Sequence, residues 1–112
     1  MDPARARELL TAERNRIERA LASLRRADSG ELADQDESAD QASDLYDNEF
    51  DEGLADELRE ALAAVERAEA RLAKGTYGLS IESGEPISDE RLEAIPTAER
   101  TAEEQERYER RR

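Results

Sequence analysis

At 112 residues, the chain is long enough for one domain and too short for two full ones. It is 42% charged and 4% aromatic with a net charge of -13, which excludes a large globular core, and it contains no Cys or His, which excludes disulfides, thiolate metal sites and histidine switches. No apolar run approaches the ~20 residues that span a bilayer, and the start MDPARARELL lacks a signal-peptide apolar stretch, so a cytoplasmic protein without membrane contact is expected.

The first helix is predicted to start at Asp2, an N-cap residue, with Pro3 in the first helical position. Leu10, Ile17, Leu21 and Leu24 then recur at coiled-coil spacing, and Asp28-Ser29-Gly30 marks a helix stop. The first thirty residues lean slightly basic through Arg5, Arg7, Arg14, Arg16, Arg19, Arg25 and Arg26. From Glu31 to Glu57, by contrast, there are carboxylates and no Lys or Arg. Phosphate-backbone binding draws on clustered cations, so this acidic stretch argues against direct DNA or RNA binding. It suits a basic protein partner, a metal ion, or solubility alone.

A second helix is expected from about residue 39 to residue 74, roughly 50 Å long at ~1.5 Å per residue. Leu54, Leu58, Ala61, Val65, Ala68 and Leu72 alternate steps of four and three, an a/d seam, while Tyr46 and Phe50 continue that face upstream. Gly75 supplies the stop. Two apolar stripes joined by a polar link predict a long antiparallel coiled-coil hairpin over residues 1–74, its acidic tip near residues 30–44. The stripes satisfy each other, so a monomer is expected rather than a zipper dimer.

Beyond Gly75 the period changes. Leu79-Ser80-Ile81 and Pro86-Ile87 flank Glu82-Ser83-Gly84-Glu85, which predicts a short β-hairpin. Ser88 caps a short helix holding Leu92, with Asp89 and Glu90 in its first turn; Pro96 breaks it, and Thr97 is placed to cap a last helix ending in Tyr108 and an Arg-rich terminus. Tyr77, Leu79, Ile81, Ile87, Leu92 and Ile95 are the candidate packing residues of this region, 75–112. The fold class is thus mainly α, a hairpin plus a small C-terminal region.

Catalysis finds little footing: there is no Cys or His nucleophile–base pair, no carboxylate pair marked as buried, and no pocket in a thin hairpin. Gly75-Thr76-Tyr77-Gly78 is too short for a phosphate loop. Asp34, Asp36, Ser38 and Asp40 match alternate positions of an EF-hand loop, but Ala39 and Leu45 stand where that loop needs glycine and glutamate.

Gly75, Tyr77, Gly78, Gly84, Ile87, Arg91, Leu92, Glu93, Ala94, Pro96 and Ala98 keep the frame GxYGxCxxCG…RLEAxP…CxxC, while its cysteine positions hold Ser80, Ser83, Thr101 and Glu104. The stretch resembles the C-terminal zinc finger of the DksA/TraR family of bacterial transcription regulators, with every zinc ligand replaced. A structural zinc needs four N or S ligands, and three hydroxyls with one carboxylate do not supply them, so no zinc is expected. The resemblance implies RNA polymerase as partner. It also implies an acidic tip motif, DxxDxA, that enters the polymerase secondary channel and approaches its catalytic Mg²⁺. Asp40 and Ala42 fall on the second Asp and the Ala; Glu37 takes the first Asp position, one methylene longer, and Asp36 beside it serves in a shifted register. Taken alone, such an acidic run reads as a solvated loop. Family members often act with the alarmone (p)ppGpp, for which no residue here marks a site. The rival to a polymerase regulator is an acidic coiled-coil adaptor, or a DNA mimic that inhibits another basic partner.

Overall fold

The computed structural model describes the backbone of residues 1–29 and 41–111, and the side chains of those residues outside 27–51. Among the described residues there are two long helices and two short ones: α1 (Pro3–Ser29), α2 (Gln41–Lys74), α3 (Asp89–Ala94) and α4 (Ala102–Arg111). The expected mainly helical class with two long helices is what the chain has. Among the described residues, no helix is long and apolar enough to cross a membrane.

The ends of the helices obey local chemistry. Asp2 caps α1: its carboxylate accepts the amide of Arg5 at 3.2 Å and its carbonyl that of Ala6 at 3.0 Å. At the other end of α2, Gly75 adopts φ 80°, the amide of Thr76 donates to the Arg71 carbonyl at 2.9 Å, and that of Gly75 to the Leu72 carbonyl at 3.2 Å. This pair of bonds is a Schellman motif, which satisfies the last carbonyls and needs a residue free to enter the left-handed region.

The chain divides into two compact units. One comprises Asn15–Ala63, where Ile17 and Leu58 are buried. Leu54, expected in the seam, is 44% exposed, so the dry part of that stripe begins at Leu58. The side chains of Tyr46 and Phe50 lie outside those described. The other unit joins Met1–Arg14 to Ala64–Arg112. In it Ala6 and Leu10 of α1 and Val65 and Ala68 of α2 are buried. Arg14 binds Glu69 through two bonds, at 2.7 and 3.1 Å.

The same unit has a small second core of Ile87, Leu92 and Ala98, against which Met1 and Tyr77 pack. Leu92 is fully buried. The backbone comes close to it at Gly78, φ 85°, where an added Cβ would lie 3.5 Å from Leu92 Cδ1. The expected β-hairpin contracts to an isolated antiparallel bridge, Leu79 to Pro86. Around it the Ser80 amide donates to Glu85 O at 2.8 Å and the Ile87 amide to Gly78 O at 2.7 Å.

Three of the expected packing residues point elsewhere. Leu79, Ile81 and Ile95 are 39%, 51% and 44% exposed. Between the first two, the inward place belongs to Ser80, which is buried at the start of the turn. The last helix is also capped later than expected, by Thr101 and not by Thr97.

Candidate functional site

The four positions that stand where the finger frame has cysteines converge. Glu104 opens the contact: its Oε1 accepts the Ser80 hydroxyl at 2.6 Å and the Thr101 amide at 2.9 Å. The Thr101 hydroxyl accepts the Glu104 amide at 3.2 Å. Threonine at the cap and glutamate three residues on, each satisfying the other's amide, form a capping box that starts α4. Ser80 Oγ in turn accepts the amides of Glu82 at 3.0 Å and Ser83 at 3.2 Å, which folds the turn around it. The Ser83 hydroxyl accepts the Glu85 amide at 3.2 Å. Ser80 and Glu104 are each only 5% exposed.

The hydroxyls of Ser80 and Ser83 and the amide of Thr101 pull the Glu104 carboxyl down to about 2, well below the usual range, against the opposing effect of burial. The cluster is therefore a fixed anion surrounded by donors. As a metal site it fails on chemistry. A closed structural zinc site wants thiolates or imidazoles in a tetrahedron, and three neutral hydroxyls with one carboxylate already satisfied by O–H and N–H donors do not fit it. Among the described residues, no group of three or more acidic side chains is placed to hold a metal ion.

The frame residues around the cluster have identifiable work. Tyr77 donates its hydroxyl to the Pro96 carbonyl at 2.8 Å, across the small core. Arg91 Nε donates to the Arg100 carbonyl at 3.1 Å, which fixes the chain just before α4. Ser88 caps α3 by accepting the Arg91 amide at 3.2 Å. Glu93 binds Arg5 of α1 through both oxygens, at 2.7 and 2.9 Å, and that partner holds its carboxyl below the usual range.

Two further residues were not singled out by the sequence. Glu99 accepts Arg67 at 3.0 Å and Arg71 at 2.9 Å, both from α2; burial raises its carboxyl pKa, and the two guanidiniums outweigh that and lower it. Arg100 donates to Glu82 at 2.6 Å and lies 3.8 Å from the centroid of the Tyr108 ring, so it joins the Ser80–Ser83 turn to α4. Neither pattern is local in sequence. The capping box was: T-x-x-E at 101–104 is its written signature.

A groove of about 580 Å³ is lined by Pro86, Arg91, Ile95, Thr101 and Glu103, among others, and holds no nucleophile–base pair. Of the tip candidates, Asp36, Glu37 and Asp40 lie outside the described residues, while Ala42 falls in the first turn of α2, where side chains are not described.

Comparison with known proteins agrees with the frame. Residues 75–110 match the family model of the prokaryotic dksA/traR C4-type zinc finger. A Caulobacter vibrioides protein named RNA polymerase-binding transcription factor DksA is 42% identical over 73 residues, 65% of this chain and 51% of its own. The Bacillus subtilis protein YteA is 44% identical over 75 residues, 66% of this chain and 31% of its own. Thus the chain spans about half the length, or less, of these curated relatives. The solved structure of transcription factor DksA2 from Pseudomonas aeruginosa superposes with a TM-score of 0.76 at 32% identity, covering 97% of this chain and 84% of that one.

Proposed function

We propose, from the premise that this chain belongs to the DksA/TraR family, that it is a transcription regulator that binds RNA polymerase. The observation that carries this is the likeness to DksA2, which covers 97% of this chain at 32% identity. The relative from Caulobacter is named for polymerase binding. The mode of action follows the family resemblance and the charge pattern: the acidic segment around Glu37, Asp40 and Ala42, with Asp36 beside it, enters the secondary channel. There its carboxylates meet basic elements or the catalytic Mg²⁺. The protein acts as a monomeric cytoplasmic effector, not as an enzyme, and reads no DNA or RNA sequence itself.

The regulator works without zinc. Support comes from the donor set at the four finger positions and from the absence of any Cys or His in the chain.

Retention of the protein on purified RNA polymerase at moderate salt tests the partner, and no retention sinks the proposal. It also separates a polymerase regulator from an acidic adaptor of some other basic protein. Asp40→Asn tests the tip: binding is expected to persist while the effect on transcription is lost. An unchanged effect at every promoter tried would remove Asp40 from the mechanism. Metal analysis of protein purified without chelator tests the third statement, and stoichiometric zinc would refute it.

A further inference from the structure

We propose that the Glu104 carboxylate does within the chain what the metal of a four-cysteine finger does: it fastens the Ser80–Ser83 turn to the start of α4. The proposal rests on the metal-free reading above and goes beyond it by assigning the substitute and its partners.

The ligand positions of the finger frame come from two separate segments, one at 80 and 83, the other at 101 and 104. A metal would join them by bonding to both. Here Glu104 Oε1 lies 2.6 Å from Ser80 Oγ and 2.9 Å from the Thr101 amide, so one carboxylate oxygen touches each segment. Ser80 relays the attachment by accepting two amides of its own turn, at 3.0 and 3.2 Å. The two bonds to the Glu104 carboxylate are charge-assisted, and such bonds are roughly twice as strong as neutral ones. Among the described residues, no buried side-chain oxygen of the set lacks a hydrogen-bond partner, which is the condition under which a buried polar network stabilises rather than costs.

The two ways of joining are mutually exclusive. A closed zinc site needs thiolate or imidazole ligands at all four places, none of which is present here, and a thiol is a weak donor and a weak acceptor. Ser80→Cys therefore breaks the network without creating a metal site, and so does any other single replacement by Cys. Only the whole set converts one joint into the other. The joint is thus an all-or-none unit, and Glu104 is its positioning residue.

The test compares the wild-type protein with Glu104→Gln, Ser80→Cys, and the quadruple variant S80C/S83C/T101C/E104C, each with and without added zinc. Glu104→Gln and Ser80→Cys are each expected to lower Tm by about 5 °C or more and to hold no zinc. The quadruple variant is expected to bind one zinc per chain and to lose Tm on adding chelator. A Tm for either single variant within about 1 °C of wild type overturns the proposal. Should Glu104→Gln not fold at all, the quadruple variant decides: recovery of a cooperative transition with zinc supports the joint, and no recovery overturns it. Zinc found in the wild-type protein sinks the metal-free premise instead, a result separable from all of these.

Discussion

Leu92→Ala is the sharpest test of what holds the C-terminal region together. Leu92 is fully buried in a core whose other buried members are Ile87 and Ala98. The substitution removes three carbons, about 2.4 kcal/mol of transfer free energy at ~0.8 kcal/mol each. The walls resist collapse: Gly78 next to it is held by the Ile87 amide at 2.7 Å, and Tyr77 by the Pro96 carbonyl at 2.8 Å. A residual void on the order of 50 Å³ adds about 1 kcal/mol at ~24 cal/mol per Å³. The expected loss is therefore about 3–4 kcal/mol, which lies inside the range measured for buried leucines. Urea unfolding followed by tyrosine fluorescence, with Tyr77 beside the cavity, together with circular dichroism reads this directly. A loss below about 1 kcal/mol would show that this core contributes little and that the region is held chiefly by the ion pairs and the Glu104 network.

Glu104 makes an acid limb: its folded carboxyl, near 2, binds a proton less readily than the unfolded one near 4.5. The stability it contributes is present in full above the unfolded value and is lost as pH falls through that window; Glu104→Gln should flatten this limb in a Tm-versus-pH series. Gly78→Ala meets only an ordinary contact of 3.5 Å but must hold φ 85°, so a loss of about 1–2 kcal/mol is expected in urea unfolding. Glu99→Gln deprives Arg67 and Arg71 of their shared carboxylate, and since Arg71 is only 14% exposed, a loss of about 1–3 kcal/mol is expected by the same assay.

What the sequence revealed was what is local. Asp2, Gly75 and Ser88 announce helix ends because a cap is a contact over three or four residues. The stripes of α1 and α2 revealed Leu10, Ile17, Val65 and Ala68 for the same reason, since a helical face is periodic. The failures share a different cause. Leu79 and Ile81 were expected inside because they are apolar, yet the inward place between them goes to Ser80, whose partner stands 24 residues away. Glu99 and its arginines are 28 and 32 residues apart. No periodicity reports such pairs. At 101–104 the signal is local and written in the chain, T-x-x-E.

The Ser80–Glu104 contact has a kinetic consequence. All its parts belong to one polypeptide, so closing it is a first-order event whose rate is independent of any second solute. A finger closed by metal matures in a second-order step and waits on the free concentration of that metal. A joint closed by its own carboxylate needs only that both segments be present in one chain, and its closing time is set by chain motion rather than by metal supply.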